Sequence, residues 1–185
     1  MNGEASQRLF IAIDLPVPHR EILGALQVPI RGVAWTPPEQ LHLTLRFLGD
    51  ADRETRTALT AKLSHISVEP FILPLAGLGV FPPRETPKII WAGVGHGHPR
   101  LFQLRQQIDD TLLATGMDLD LRTFVAHITL ARCGRAGKPQ VAAFLKQNQA
   151  FEGPPFKVER FILYSSRLTP DGAIHQVEDE FRLCG

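Results

Sequence analysis

Two runs of the chain alternate apolar and polar side chains with a period of two: Leu41-His42-Leu43-Thr44-Leu45-Arg46-Phe47 and Val125-Ala126-His127-Ile128-Thr129-Leu130. A strand with one buried face has this period, because successive side chains leave a pleated backbone on opposite sides. Leu and Ile take the core face; His42 with Thr44, and His127 with Thr129, share the other. Leu9 to Ile13 reads as a buried strand stopped by Asp14, Pro16 and Pro18, and 19–27 as a short amphipathic helix. Residues 32–35 make a further strand, and Gly49-Asp50 is expected to end the first motif strand at 48. Asp52 is the expected N-cap of a helix reaching Ile66, with Ala58, Leu59, Leu63 and Ile66 on one face.

Beyond it, 68–80 reads as one kinked strand and 88–94 as another. Leu101, Leu104, Ile108 and Leu112 form the stripe of the longest helix, 99–115, which Gly116 stops. The second motif strand (124–131), a short helix through Val141 to Leu145, a strand over 156–164 and an extended run over 174–181 complete the pattern. The order strand, helix, strand recurs over about 9–48 and 88–131, and each half ends in a His-x-Thr-x strand. This predicts one domain over 1–185 with an internal repeat, of α+β class with antiparallel sheets. A pseudo-two-fold relation between the halves would bring both His and Thr pairs to a central cleft.

Composition narrows the partners. The 185 residues suffice for one substantial domain or two small lobes, and 44% hydrophobic with 21% charged residues fits a soluble globular protein. The formal charge of +1 gives no global basic field, so any nucleic-acid contact must rest on a local patch. Cys133 and Cys184 have neither zinc-site spacing nor the numbers for a disulfide framework, which suggests a reducing, cytoplasmic setting. The short polar start predicts no secretory leader, and no run approaches the length of a membrane helix. Nothing in the chain demands more than a monomer.

An imidazole beside a hydroxyl, presented twice, is the makeup of an acid–base site with donors for an oxyanion. Strict alternation puts Arg46 at the next same-face position after Thr44, where it would add a charged phosphate contact. The same alternation puts Arg132 opposite His127 and Thr129, so it reaches the cleft only if the strand ends or bulges near Ala131. Phe10 is a candidate for stacking on a base, against a commoner role in the core of an apolar strand. Arg132, Arg135 and Lys138 form a basic cluster that reads as a solvated loop more readily than as an RNA contact. His96-Gly97-His98 reads as a loop entering the long helix, with no acidic cluster to complete a metal site. No metal and no cofactor are expected.

Several short stretches in order carry a family resemblance: Arg8 to Pro16, His42 to Gly49, Phe81-Pro82 with Pro87 to Val94, His127 to Arg132, and Leu163 to Ser166. On these the chain resembles the two-histidine phosphoesterase superfamily, and within it the bacterial and archaeal RNA 2′,3′-cyclic phosphodiesterases, first named 2′-5′ RNA ligases. The resemblance implies a two-lobed α+β fold with two antiparallel sheets flanking a cleft and helices outside. It implies metal-independent opening of a 2′,3′-cyclic phosphate on an RNA end to a 2′-phosphate, with weak reverse ligation at the same site. His42 is implied as proton donor, His127 as proton acceptor, and Thr44 and Thr129 as phosphate ligands. Where relatives often carry a C-terminal aromatic residue, this chain has Ala173-Ile174-His175. The competing expectations are a phosphodiesterase for a small cyclic nucleotide or an ADP-ribose-type cyclic phosphate, and a non-catalytic nucleotide- or RNA-binding module.

Overall fold

The computed structural model describes residues 6–95, 98–119, 122–134, 138–169 and 172–185. Its elements run β1 (Gln7–Asp14), α1 (Val17–Gly24), β2 (Val33–Trp35), β3 (His42–Ala51), α2 (Arg53–Leu63), β4 (Phe71–Ala76), β5 (Leu78–Phe81), β6 (Ile89–Gly93) and α3 (Pro99–Ala114). They continue with β7 (His127–Cys133), α4 (Lys138–Gln147), β8 (Glu152–Val158), β9 (Arg160–Thr169) and β10 (Gly172–Arg182). An eight-stranded antiparallel sheet has the order β10-β9-β1-β3-β7-β6-β5, with β2 also pairing β7, and β4 pairs β8 in a second, two-stranded sheet. The α+β architecture with two antiparallel sheets is the one expected.

Local chemistry explains several element ends. The Asp52 carboxylate accepts from the Thr55 N–H at 2.8 Å and caps α2, whose Leu59 and Leu63 are buried. The α3 stripe of Leu101, Leu104, Ile108 and Leu112 is buried as its spacing requires. Two expected strands are each two strands. The run 68–80 breaks at Gly77 (φ +80°), sending β4 to β8 and β5 to β6, and the run near 156–164 breaks at Glu159 between β8 and β9. Periodicity marks a residue as extended but not the partner that pairs with it. The first motif strand also outruns its expected end, because Gly49 takes φ +76° and the chain stays extended to Ala51.

The motif strands carry matching irregularities. Thr44 opposes Ala12 and Arg46 opposes Ile11, so Leu45 is an extra residue in β3. Thr129 opposes Trp91 and Ala131 opposes Ile90, so Leu130 is an extra residue in β7. Each is a β-bulge, which steps the side-chain alternation by one. After each His-x-Thr come two buried residues and then an exposed one. Arg46 and Ala131 thus turn to the core, while Phe47 and Arg132 turn to the open face.

This overturns the expected cleft placement of Arg46. Its guanidinium is 6% exposed and grips the Asp109 carboxylate of α3 with two prongs, Nε to Oδ1 at 2.7 Å and Nη2 to Oδ2 at 2.5 Å. Arg46 locks α3 onto β3 instead of facing substrate. For Arg132 the condition set by its sequence, a bulge beside Ala131, is the one observed. Asp109→Ala, which strips the carboxylate from a buried guanidinium, is expected to cost about 3 kcal/mol. Urea unfolding measures this, and Arg46→Met should cost less, because the Asp109 carboxylate it leaves is the more exposed partner and still has Arg105 Nε at 3.9 Å.

Candidate active site

The cleft opens where the large sheet forks. β3 meets β7 through one register pair, Leu43 with Ile128, and then diverges. Further along β7 the place of β3 is taken by β2, with Trp35 opposite Ala131 and Val33 opposite Cys133. Thr36 N–H donates to the Leu130 carbonyl at 2.8 Å and holds β2 against the bulge. Leu43 and Ile128 are fully buried, so the seam is pinned from the core side while its other face stays open. Antiparallel register about that pair sets His42 across from Thr129, and Thr44 across from His127. A cleft of about 530 Å³ lies over the seam and includes His42, Thr44, Thr129 and Arg132 in its lining.

Both imidazoles are held the same way. Nδ1 of His42 lies 2.7 Å from the Gln40 carbonyl, and Nδ1 of His127 lies 2.6 Å from the Val125 carbonyl. A carbonyl only accepts, so each Nδ1 carries the proton and each Nε2 is left to accept or give one. Aromatic rings fix the planes. His42 packs 5.0 Å from Phe10 and edge-on to His175 at 5.3 Å, and His127 meets the Phe81 ring edge-on at 5.0 Å and Trp91 at 6.4 Å. Gly79 makes room for Trp91, since a Cβ there would stand 2.2 Å from the indole.

The two histidines differ electrically. Burial pulls His42 down to about 4, helped by the nearby His175, Arg20 and His127 charges and opposed by the Gln40 carbonyl. Burial lowers His127 as well, against the raising influence of its Val125 carbonyl. His175 is lowered by burial and then by Arg132. Lowered in this way, the imidazoles are neutral at pH 7, and an anion seated among them favours their protonation.

Phe10 lines the cleft from beneath. It is 3% exposed, stacks on Tyr164 at 5.0 Å and meets His175 at 4.9 Å, so it is the floor that carries the His42 ring cluster. The aromatic face open in the cleft belongs to Phe47, 59% exposed, which strict alternation had pointed the other way. His175 and Trp35 also line the cleft without having been assigned to it, because β2 pairs with the distant β7 and the β9–β10 hairpin reaches the cleft only through the long-range pairing of β9 with β1. Of the basic cluster, Arg132 reaches the cleft, Lys138 starts α4 and Arg135 lies outside the described residues. His96 and Gly97 lie outside them too, while His98 Nδ1 accepts from the Arg100 N–H at 3.2 Å as the N-cap of α3. Among the described residues no group of three or more His, Cys, Asp or Glu side chains is placed to hold a metal ion, and no helix is long and apolar enough to cross a membrane.

Twin His-x-Thr strands around a forked antiparallel sheet define a two-histidine phosphoesterase, and the chain belongs to the LigT like Phosphoesterase family, whose model matches residues 13–91 and 94–175. Among similar proteins is an RNA 2′,3′-cyclic phosphodiesterase of Archaeoglobus fulgidus, 31% identical over 91% of this chain and 96% of its own. Another, of Thermus thermophilus, is 36% identical over 96% of this chain and 91% of its own. Among solved structures, E. coli LigT complexed with 3′-AMP superposes with a TM-score of 0.80 at 27% identity, covering 97% of this chain and 99% of that one.

The depressed histidines set a pH dependence of stability. The unfolded His42 imidazole takes up a proton near 6.5 and the folded one only near 4, so acidification across that window favours the unfolded chain. His127 and His175 act in the same direction. Stability by urea titration is expected to fall as pH drops from 6.5 toward 4, and His42→Phe to flatten part of that fall.

Proposed function

We propose that this cleft opens 2′,3′-cyclic phosphates at RNA ends to 2′-phosphomonoesters, without a metal ion, in a monomeric cytoplasmic protein. The observation that carries this reading is the crossed pairing of two Nδ1-anchored histidines with two threonines on one open sheet face. The names of its relatives support RNA as the substrate class. Two unpaired cysteines, Cys133 and Cys184, support the reducing compartment.

Water held by His127 Nε2 attacks phosphorus and gives its proton to that nitrogen. The P–O3′ bond breaks on the far side, and O3′ takes a proton from His42 Nε2–H, leaving a 2′-phosphate and a 3′-hydroxyl. The Thr44 and Thr129 hydroxyls and the Arg132 guanidinium hold the phosphoryl oxygens as charge builds on them. The strong depression of His42 suits the donor, because a weakly basic imidazole, once charged by the incoming anion, gives up its proton readily. Run backwards with a 5′-hydroxyl in place of water, the same transfers join two ends through a 2′-5′ linkage. Phe47 offers the stacking face for the terminal base.

Steady-state hydrolysis of an oligoribonucleotide 2′,3′-cyclic phosphate tests the roles. His42→Ala and His127→Ala are each expected to lower kcat by about 10²–10⁴-fold, and Arg132→Ala by about 10²-fold. Full activity in both histidine variants overturns the mechanism, and loss of wild-type turnover in EDTA overturns its metal-free form. A small cyclic nucleotide turned over while the RNA end is left intact favours a different substrate. The lowered imidazoles also predict a bell-shaped kcat/KM profile on the acid side of the ordinary histidine range. The kcat profile should lie at higher pH, because bound phosphate raises both imidazoles; coincident profiles contradict this.

A further inference from the structure

A second groove, of about 640 Å³, lies beside the catalytic cleft where β1, β9 and β10 meet the start of α2. The two share Arg8 and Ser166 in their linings, so they border each other at the start of β1. Arg53, Arg56 and Arg167 add their guanidinium groups to that of Arg8. Ser165, 8% exposed, also borders it. Asp52 is the acidic residue of the lining among those described, and its carboxylate is already committed to the Thr55 N–H. Arg56 is shared with Gln7 at 2.6 Å and Glu178 at 2.8 Å. Among the described residues no ion pair or hydrogen bond engages the Arg8 or Arg167 side chain, and both residues are exposed. In a chain of formal charge +1, this concentration of arginine is a local field of the kind that attracts a phosphate backbone.

We infer that this groove binds the RNA strand upstream of the cyclic phosphate, with Arg8 at the junction and Arg167 meeting a backbone phosphate beyond it. The inference rests on the RNA reading of the catalytic cleft. A cyclic phosphate is the 3′ end of its strand, so the rest of the substrate must leave the cleft in one direction. The passage past Arg8 and Ser166 gives that strand a charged exit. Arginine suits the task, since its planar fork pairs phosphate oxygens two at a time and reads no base. The enzyme thereby prefers a polynucleotide end to a mononucleotide without sequence selectivity in this groove.

The test compares a 2′,3′-cyclic mononucleotide with a short oligoribonucleotide ending in the same group, on wild type, Arg167→Ala and Arg167→Glu. Arg167 lies outside the catalytic cleft, so mononucleotide turnover should be unchanged and serves as the control for folding. On the oligomer, kcat/KM is expected to fall about fivefold in Arg167→Ala and further in Arg167→Glu. The slope of log kcat/KM against log salt should become shallower by about 0.7 in Arg167→Ala, the value for one lost single-strand phosphate contact. Equal losses on both substrates, or an oligomer rate and salt slope indifferent to both variants, overturn the groove. If wild type turns over neither substrate, the catalytic reading itself fails, an outcome distinct from either.

Discussion

The register pair Leu43–Ile128 is the joint on which the site depends. Both side chains are fully buried, and burying each contributes about 1.5–3 kcal/mol toward holding β3 against β7. Because the strands touch there and then part, the sheet is continuous on its core side and open on the other. The open face receives a histidine and a threonine from each strand, and the antiparallel sense crosses them. Sliding one strand by a single residue would turn its pair of functional side chains into the core, a displacement the packed Leu and Ile side chains oppose.

The matched bulges at Leu45 and Leu130 are the second constraint. They reverse the side-chain phase at the same distance past each motif, so that one strand sends an arginine inward and the other sends one outward. Inward, Arg46 finds Asp109 and ties the helical layer to the sheet. Outward, Arg132 joins the cleft opposite the exposed Phe47. The two motif strands match in the His-x-Thr pair and in the bulge that follows it but differ at the next position, where β3 carries Arg46 and β7 carries Ala131.

Surroundings make the histidines unequal. His42 sits deep beside Phe10, Tyr164 and His175, whereas His127 rests against Phe81 and Trp91 and is less depressed. The rings around them keep each imidazole in one plane, and a single carbonyl fixes each tautomer. Pre-set orientation of this kind leaves little to reorganise when phosphate arrives.

The sequence by itself determined the elements that local periodicity encodes: the two motif strands, the stripe of α3, the cap of α2 and the pairing of His with Thr on one face. Those features need only neighbours three or four residues away, which a linear pattern contains. It also carried the family likeness, through short motifs in a fixed order. The tertiary structure decided the positions of Arg46, Arg132 and Phe47, because a bulge depends on the partner strand's register and leaves no mark in the alternation of one strand. It likewise decided that Phe10 is floor and that His175 stands beside His42, since β1, β9 and β10 assemble from opposite ends of the chain. Contacts of that range are set by how strands stack and how helices cover them, and only the folded molecule brings those residues together.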